Sequence, residues 1–224
     1  MLQEDFYSKS TRHVARQLLG KTLVRRLEDQ TELRCTIVEV EAYLAARDPA
    51  SHSRCGTTRR NASMFGAPGH LYVYTIHTRH CMNIVTEPEG QGAAVLIRAV
   101  EPECGIEEMW QARFAESSPE SPSAQQLTRL TQGPGRLCQA MQVDLSQDGI
   151  ELLDKRSTVW LEEPRPEVYS TRWKIRQSPR IGISQGQSLP LRYFVDGNRF
   201  VSGCAREHSE GRNWTFFHDA AAKE

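Results

Sequence analysis

The chain has 224 residues, 38% of them hydrophobic and 25% charged, and its 28 basic and 28 acidic side chains balance to zero formal charge. This composition is that of an ordinary soluble globule, and the absence of any apolar run near the roughly 18 residues of a bilayer span excludes a membrane protein. The balanced charge excludes a uniformly basic nucleic-acid binder, so DNA binding requires an uneven distribution of charge. We expect one domain over residues 1–224.

The first predicted elements are a short helix and an antiparallel hairpin. Apolar residues recur at helical spacing within 11–19, and Gly20 stands where a helix C-cap would. The β-prone stretches 21–27 and 33–43 are joined by turn-compatible polar residues. Strict alternation along the second strand predicts two faces, one with Ile37, Glu39, Glu41 and Tyr43, the other with Val38, Val40 and Ala42.

A long loop and three further strands follow the hairpin. Residues 49–69 are rich in Ser, Gly, Arg and Asn, which predicts a long surface loop of the kind that often carries function. Strands are predicted at 71–76 and 82–85. The nearly continuous apolar run 93–100 predicts a central, buried strand.

The rest of the chain mixes helices and strands without a βαβ rhythm. Helices are predicted at 106–114 and 136–141, and strands at 150–153, 158–161 and 191–195. The Ser/Pro/Glu-rich segment 117–123 predicts a mobile loop, and the mostly polar tail 206–224 receives no assignment. This order favours an α+β domain around one largely antiparallel sheet.

Cysteine spacing and the N-terminus indicate the compartment. Six cysteines are widely spaced without a C-x-x-C pair, and residues 1–10 lack the pattern of a secretory signal. We therefore expect a reduced, cytoplasmic protein. The set His70, His77, His80 and Cys81 lacks the short paired spacings of zinc ligands, so we expect no metal and no cofactor.

Charge is unevenly distributed along the sequence. No acidic residue occurs between Asp48 and Glu87, an interval that carries four arginines, and a second basic stretch covers 165–180. Residues 101–120 instead carry six glutamates against the single Arg113. This pattern predicts a basic face and an acidic face, with chance clustering as the alternative.

The densest functional pattern lies between Val38 and Asn83. It contains VEVEAY at 38–43, HSR at 52–54, LYVY at 71–74 and CMNI at 81–84. Further motifs are LLG at 18–20, VLIRAVEP at 95–102, GP at 133–134 and RIGI at 180–183. In this order the motifs resemble the alkyladenine (3-methyladenine) DNA glycosylase family, which is unrelated to the helix-hairpin-helix glycosylases.

The resemblance implies a fold, an activity and a partner. The fold is a single domain with a curved, largely antiparallel sheet and surrounding helices, without a catalytic metal. The activity is hydrolysis of the N-glycosidic bond of alkylated purines in base excision repair, with 3-methyladenine and 7-methylguanine as substrates and hypoxanthine as a further candidate. The partner is double-stranded DNA bound by a monomer, nucleoid-associated in a bacterium or nuclear in a eukaryote.

The resemblance also assigns roles to residues of this chain. Glu41 matches the base that activates water, Arg98 a residue that helps to place that water, and Ile181 a residue whose backbone carbonyl assists. Three positions match the aromatic walls around the flipped base: Tyr43, His52 and Tyr74. Asn83 matches the residue whose side chain disfavours the amino group of guanine.

One departure from the family pattern concerns base flipping. Family members commonly carry a tyrosine that wedges into the duplex three residues after the position of Tyr74, and here that position is His77. The stretch that leads to Asn83 is also one residue shorter than expected, so a different wedge is an open alternative. The predicted DNA contacts are His77, Arg54, Arg59, Arg60 and Arg180.

Chemistry independently favours a monofunctional hydrolase. The reaction passes through a sugar that resembles an oxocarbenium cation, so an ionised carboxylate can stabilise charge while it takes a proton from water. A mechanism through a Schiff base would require a lysine near Glu41, and no lysine occurs between Lys21 and Lys155. The sequence therefore favours a monofunctional enzyme.

Three alternatives stay open at this point. Glu39 could be the base, or both glutamates could lie exposed on an edge strand. Tyr72 and Tyr74 could be ordinary core aromatics. The rival function is a non-catalytic module that reads a modified base or an RNA.

Overall fold

The computed structural model describes residues 1–154, 156–164, 174–204 and 207–208, together with the backbone of 212–215. The helices are α1 (Glu4–Tyr7), α2 (Thr11–Leu18), α3 (Ile106–Phe114), α4 (Ala124–Thr131) and α5 (Pro134–Ala140), and 3₁₀ turns lie at His52–Cys55, Ala62–Phe65 and Leu145–Gln147. The strands are β1 (Thr22–Arg26), β2 (Glu32–Tyr43), β3 (Leu71–Ile76), β4 (Arg79–Thr86), β5 (Ala93–Cys104), β6 (Val159–Glu162), β7 (Lys174–Ser178), β8 (Arg192–Val195) and β9 (Arg212–Thr215).

These strands form one antiparallel sheet in the order β3-β4-β5-β2-β8-β7-β9. Strand β2 pairs with β5 along one edge. Along its other edge, the first half of β2 pairs with β1 and the second half pairs with β8. Strand β6 extends the sheet beyond β1. The predicted α+β class with a curved, largely antiparallel sheet is confirmed.

The β2–β5 pair contains three register shifts, and two of them, on either side of Glu39, reorient side chains near the site. Ile37 faces Val100 while Glu39 faces Ala99, which leaves Val38 unpaired in the ladder. Ile37 consequently packs in the main core, whereas Val38 packs in a separate cluster. The prediction that Ile37 shares the face of Glu41 is therefore wrong, because a bulge reverses the alternation that a regular strand would keep.

Helices α2 and α5 cover one face of the sheet, and the site lies on the other. The main core joins Val14 and Leu18 of α2 and Leu137 of α5 to Val40 and other apolar residues of the sheet. On the opposite face, a smaller cluster of Met64, Tyr72, Val85 and Ala94 lies under the 49–69 loop. The chain thus carries that loop across the sheet face from which Glu41 projects.

Most predicted elements are confirmed. The observed bounds agree to within a residue or so with those predicted for the helices at 11–19 and 106–114, the first hairpin and the strand at 71–76. Strand β5 is central, as expected. The strand predicted at 150–153 is wrong, because there only Glu151 forms an isolated bridge, to His70. Helices α1 and α4 and strands β7 and β9 were not predicted.

Several predictions stay untested. Segment 117–123 remains a predicted mobile loop; its last residue, Ser123, caps α4 through a capping box with Gln126. Arg165 and Arg172, in the second basic stretch, lie outside the described residues, as does most of the 206–224 tail apart from a short turn and the backbone of β9. Within the described residues, no helix has the length and apolar character needed to cross a bilayer.

Candidate active site

Cross-strand pairing places Glu41 in a row of functional side chains. Glu41 faces Leu96 of β5, Leu96 faces Asn83 of β4, and Asn83 faces Tyr72 of β3. Directly opposed residues of an antiparallel pair project to the same side of the sheet. Residues that are far apart in the sequence are therefore adjacent on one sheet face.

Glu41 is fully buried and its carboxylate has three donors. Oε1 accepts a hydrogen bond from the backbone N–H of Ile181 at 2.8 Å and lies 3.2 Å from Nη1 of Arg98. Oε2 accepts from the hydroxyl of Tyr43 at 2.9 Å. Donors of this kind offset the desolvation of a buried anion. The alternative of two exposed glutamates is wrong, because Glu39 is also fully buried and β2 is an interior strand.

Arg98 lies between two carboxylates. Its Nη1 contacts Glu41, and its Nε lies 3.3 Å from Oε1 of Glu39, which also binds Nε of Arg192 at 2.6 Å. Burial by itself would lower the pKa of Arg98, but Glu41 and Glu39 raise it above its ordinary value. Arg98 is therefore a permanent cation beside Glu41.

Beside Glu41 a small cavity of about 20 Å³ is lined mainly by aromatic rings. Its walls are Tyr43, Ala50, His52, Met64, Tyr72, Tyr74 and Asn83. A space of this size matches a single water molecule, so a purine can enter only if the walls move apart. The structure thus brings together all four side chains that were predicted to contact the flipped base.

The rings of the cavity are held in fixed relative positions. His52 lies edge-on to Tyr74 with ring centroids 4.6 Å apart, and its Nδ1 is 2.7 Å from the hydroxyl of Tyr72. His52 is exposed overall, and partial desolvation of its ring against the cavity lowers its pKa below its ordinary value, so the imidazole is neutral at pH 7. Burial also raises the pKa values of Tyr43 and Tyr74, which keeps both phenols neutral.

Tyr72 is a site residue that the sequence analysis missed. Tyr72 and Tyr74 are two residues apart in a predicted strand, and this spacing places both rings on one face of the sheet. The sequence alone could therefore have placed Tyr72 in the site. Its backbone carbonyl accepts a hydrogen bond from Nδ2 of Asn83 at 3.0 Å, which fixes the Asn83 amide.

The prediction of Arg180 as a DNA contact is wrong. Its side chain is fully buried, and both terminal nitrogens bind Asp48, at 2.6 and 2.7 Å. Nη1 also donates to the carbonyl of Ala42, and the guanidinium lies 4.6 Å from the ring centroid of Tyr43. Arg180 therefore braces the segment that carries Ile181 against β2.

Comparison with known proteins identifies the family. The sequence model of the methylpurine-DNA glycosylase (MPG) family matches residues 5–199. The chain belongs to this family. It is therefore a DNA glycosylase, a hydrolase of DNA repair, and the resemblance found in the motifs is confirmed.

Relatives that carry the name "Putative 3-methyladenine DNA glycosylase" cover almost the whole chain. The protein of Rhodopirellula baltica is 48% identical, over 94% of this chain and 87% of its own. That of Methanoculleus marisnigri is 45% identical over 90% and 98%, and that of Koribacter versatilis is 42% identical over 90% and 93%.

The rim of the glycosylase cavity carries exposed cations and a hairpin tip. Arg54, Arg59 and Arg60 are exposed on the loop that crosses the sheet face, and the guanidinium of Arg54 donates to Gln185. His77 has a left-handed φ of 53° at the turn between β3 and β4. Its neighbour Ile76 is 49% exposed and is, with Leu145, one of the two exposed large apolar side chains among the described residues.

Proposed function

We propose that this glycosylase releases alkylated purines, 3-methyladenine and 7-methylguanine among them, from double-stranded DNA through a water molecule activated by Glu41. The single observation that carries this proposal is the placement of a buried carboxylate against an aromatic cavity: Glu41 has no exposed surface and is hydrogen-bonded to Tyr43, which lines the cavity.

The contacts of Glu41 suit a general base. Arg98 and the Ile181 amide both lie at Oε1, and the contact of Oε2 among the described residues is the Tyr43 hydroxyl. A movement of Tyr43 as the base enters would free Oε2 for the attacking water. The carboxylate would then take the proton of that water and stabilise the cationic sugar.

The cavity walls suit an electron-poor base. Alkylation of a ring nitrogen gives a base that is often cationic, and electron-rich rings attract such a base. A protonated imidazole would repel it, and the lowered pKa of His52 keeps that ring neutral. Stacking contributes roughly 1–3 kcal/mol per base, comparable with the cost of extruding a damaged nucleotide. Asn83, with its amide held by Tyr72, would exclude the amino group of normal guanine.

The β3–β4 turn suits insertion into the duplex. Ile76 and His77 project at the tip of a hairpin whose base forms part of the cavity wall. Apolar side chains that insert between base steps unstack them and hold the helix open. We assign the wedge to Ile76 together with His77, in place of the tyrosine that is common in the family.

Release of purines from methylated DNA tests the proposed function. The protein is incubated with duplexes that each contain one lesion, an abasic-site endonuclease then cleaves the strand at any abasic site, and an incubation without the glycosylase gives the background of spontaneous base loss. We expect strand breaks at 3-methyladenine and 7-methylguanine and none at unmodified purines. Binding to the lesion without strand breaks would support the rival, a module that only reads modified bases.

The exposed arginines of the rim predict a change in salt dependence. Each phosphate contact in B-DNA contributes about −0.9 to the slope of log binding constant against log salt. The variant Arg59→Gln/Arg60→Gln should therefore reduce the magnitude of the slope by about 1 to 2 while the Glu41 chemistry is preserved. The control is Arg156→Gln, which removes an exposed cation near β6 that pairs with Asp154. An unchanged slope in the double variant would remove these arginines from the DNA interface.

A further inference from the structure

We propose that Glu39 is a positioning residue of the reaction, which holds Arg98 between two carboxylates and thereby limits how strongly Arg98 stabilises ionised Glu41. The inference rests on the proposed role of Glu41 as the base. Glu41 contacts the cavity wall through the Tyr43 hydroxyl, whereas Glu39 is bonded to Arg98, Arg192 and the Ser202 amide, so the influence of Glu39 would pass through Arg98.

One guanidinium is shared between the two carboxylates. Nε of Arg98 lies 3.3 Å from Glu39, and Nη1 lies 3.2 Å from Glu41, with both carboxylates fully buried. Between buried groups, charge interactions are stronger than in bulk solvent. Each carboxylate therefore reduces the share of the Arg98 charge that is available to the other.

Arg192 fixes the position of Glu39. Nε of Arg192 binds Oε1 of Glu39 at 2.6 Å, and the backbone N–H of Ser202 donates to Oε2 at 2.7 Å. The other nitrogens of Arg192 donate to Ser178 Oγ at 3.0 Å and to the carbonyl of Ser202 at 2.8 Å. Within this set of Arg98, Arg192 and Glu39, Glu41 thus experiences two cations and one anion, which together contribute one excess positive charge.

The strand irregularity creates this arrangement. Val40 faces Ile97, so Arg98 has no partner in the β2–β5 ladder. Bulges of this kind reorient side chains, and they are common beside active sites. Here the unpaired residue is the cation that contacts both glutamates.

Removal of the Glu39 charge should weaken the base. With glutamine at position 39, Glu41 would experience two cations without the compensating anion, so its ionised form would be more stable. The base would then become protonated only at lower pH, and it would take a proton from water less readily.

Other titratable groups also face this cluster and stay unchanged in the variants compared below. They are Tyr43 on β2, Tyr74 on β3, Cys81 on β4, and Glu207 and His208 beside Ser202. Burial raises the pKa of Cys81 and of both tyrosines, so these three groups do not titrate below pH 8.

The test is the pH dependence of single-turnover release of 7-methylguanine from dimethyl sulfate-treated duplex DNA. This leaving group is already cationic, so the acid limb of the rate profile reports the groups that must be deprotonated, Glu41 and the cavity residue His52. All the variants keep His52, so a displacement of the limb between them reports the base. For Glu39→Gln we expect a downward displacement of the acid limb on the order of one pH unit and a several-fold lower plateau rate.

A charge-balanced variant separates this role from a structural one. Glu39→Gln/Arg192→Gln again leaves Glu41 with one excess positive charge, so its acid limb should return towards the wild-type position. A purely structural role predicts the reverse, since a second buried substitution would only add to the damage.

Each outcome bears on the inference. An unshifted acid limb in Glu39→Gln, or a larger displacement in the double variant, would overturn it. If circular dichroism shows that Glu39→Gln does not fold, Glu39→Asp, which withdraws the carboxylate from Arg98, must shift the limb in the same direction by less. Loss of release by Glu39→Gln as large as that of Glu41→Gln would overturn the positioning role, because Glu39 would then be as essential as the base itself. No release by wild type would contradict the proposed function instead.

Discussion

The variant Glu41→Gln should lose base release by roughly 10²- to 10⁴-fold, the usual contribution of a general base, while its affinity for damaged DNA stays within a few-fold of wild type. The amide is nearly isosteric with the carboxylate, but it can neither take the proton of water nor offset the charge of the sugar. Folding should persist, because Arg98 keeps its ion pair with Glu39. Single-turnover release and equilibrium binding on the same lesion-bearing duplex measure the two quantities.

Tyr43→Phe is the matched control for this variant. It keeps an aromatic wall and removes the hydroxyl that binds Oε2 of Glu41. We expect less than a tenfold change in release, since the carboxylate and its contacts with Arg98 and the Ile181 amide are unaffected. Release by Glu41→Gln at the wild-type rate would refute Glu41 as the base, whatever the control shows.

Local sequence patterns predicted the elements that carry the site but not their exact side-chain directions. Alternation along β2 placed Glu39, Glu41 and Tyr43 on one side, which agrees with the contacts of all three. It failed for Ile37, because the unpaired Val38 is a property of the pairing with β5. Periodicity within one strand contains no information about a register shift set by its neighbour.

The ion pairs between residues far apart in the sequence were the least predictable feature of the site. Asp48 and Arg180 are separated by 132 residues, and Glu39 and Arg192 by 153. Composition placed Arg180 in a basic stretch, and exposed arginines are the usual source of DNA contacts. Only the fold shows that β8 and the 179–190 segment lie against β2 and the residues that follow it. There Arg192 pairs with buried Glu39, and Arg180 pairs with buried Asp48.

The variant Asp48→Asn should destabilise the protein by about 3–5 kcal/mol, the usual effect of leaving one member of a buried ion pair without its partner. Both side chains of the Asp48–Arg180 pair are fully buried. Asp48 also accepts hydrogen bonds from the backbone N–H groups of Leu44 and Ala50 at 3.0 Å, so its loss affects the start of the 49–69 loop. For a chain of this size the melting temperature should fall by roughly 10 °C.

Asp154→Asn is the control for that substitution, because Asp154 pairs with Arg156, whose side chain is 91% exposed. An exposed pair contributes at most about 1 kcal/mol, so the melting temperature should hardly change.

Arg180→Gln combined with Asp48→Asn should recover part of the loss, since no buried charge is then left uncompensated. Base release by the double variant should nevertheless be below that of wild type, because Arg180 also holds the Tyr43 ring and the segment that carries Ile181. Equal melting temperatures for Asp48→Asn and Asp154→Asn would show that the Asp48–Arg180 pair does not stabilise the site.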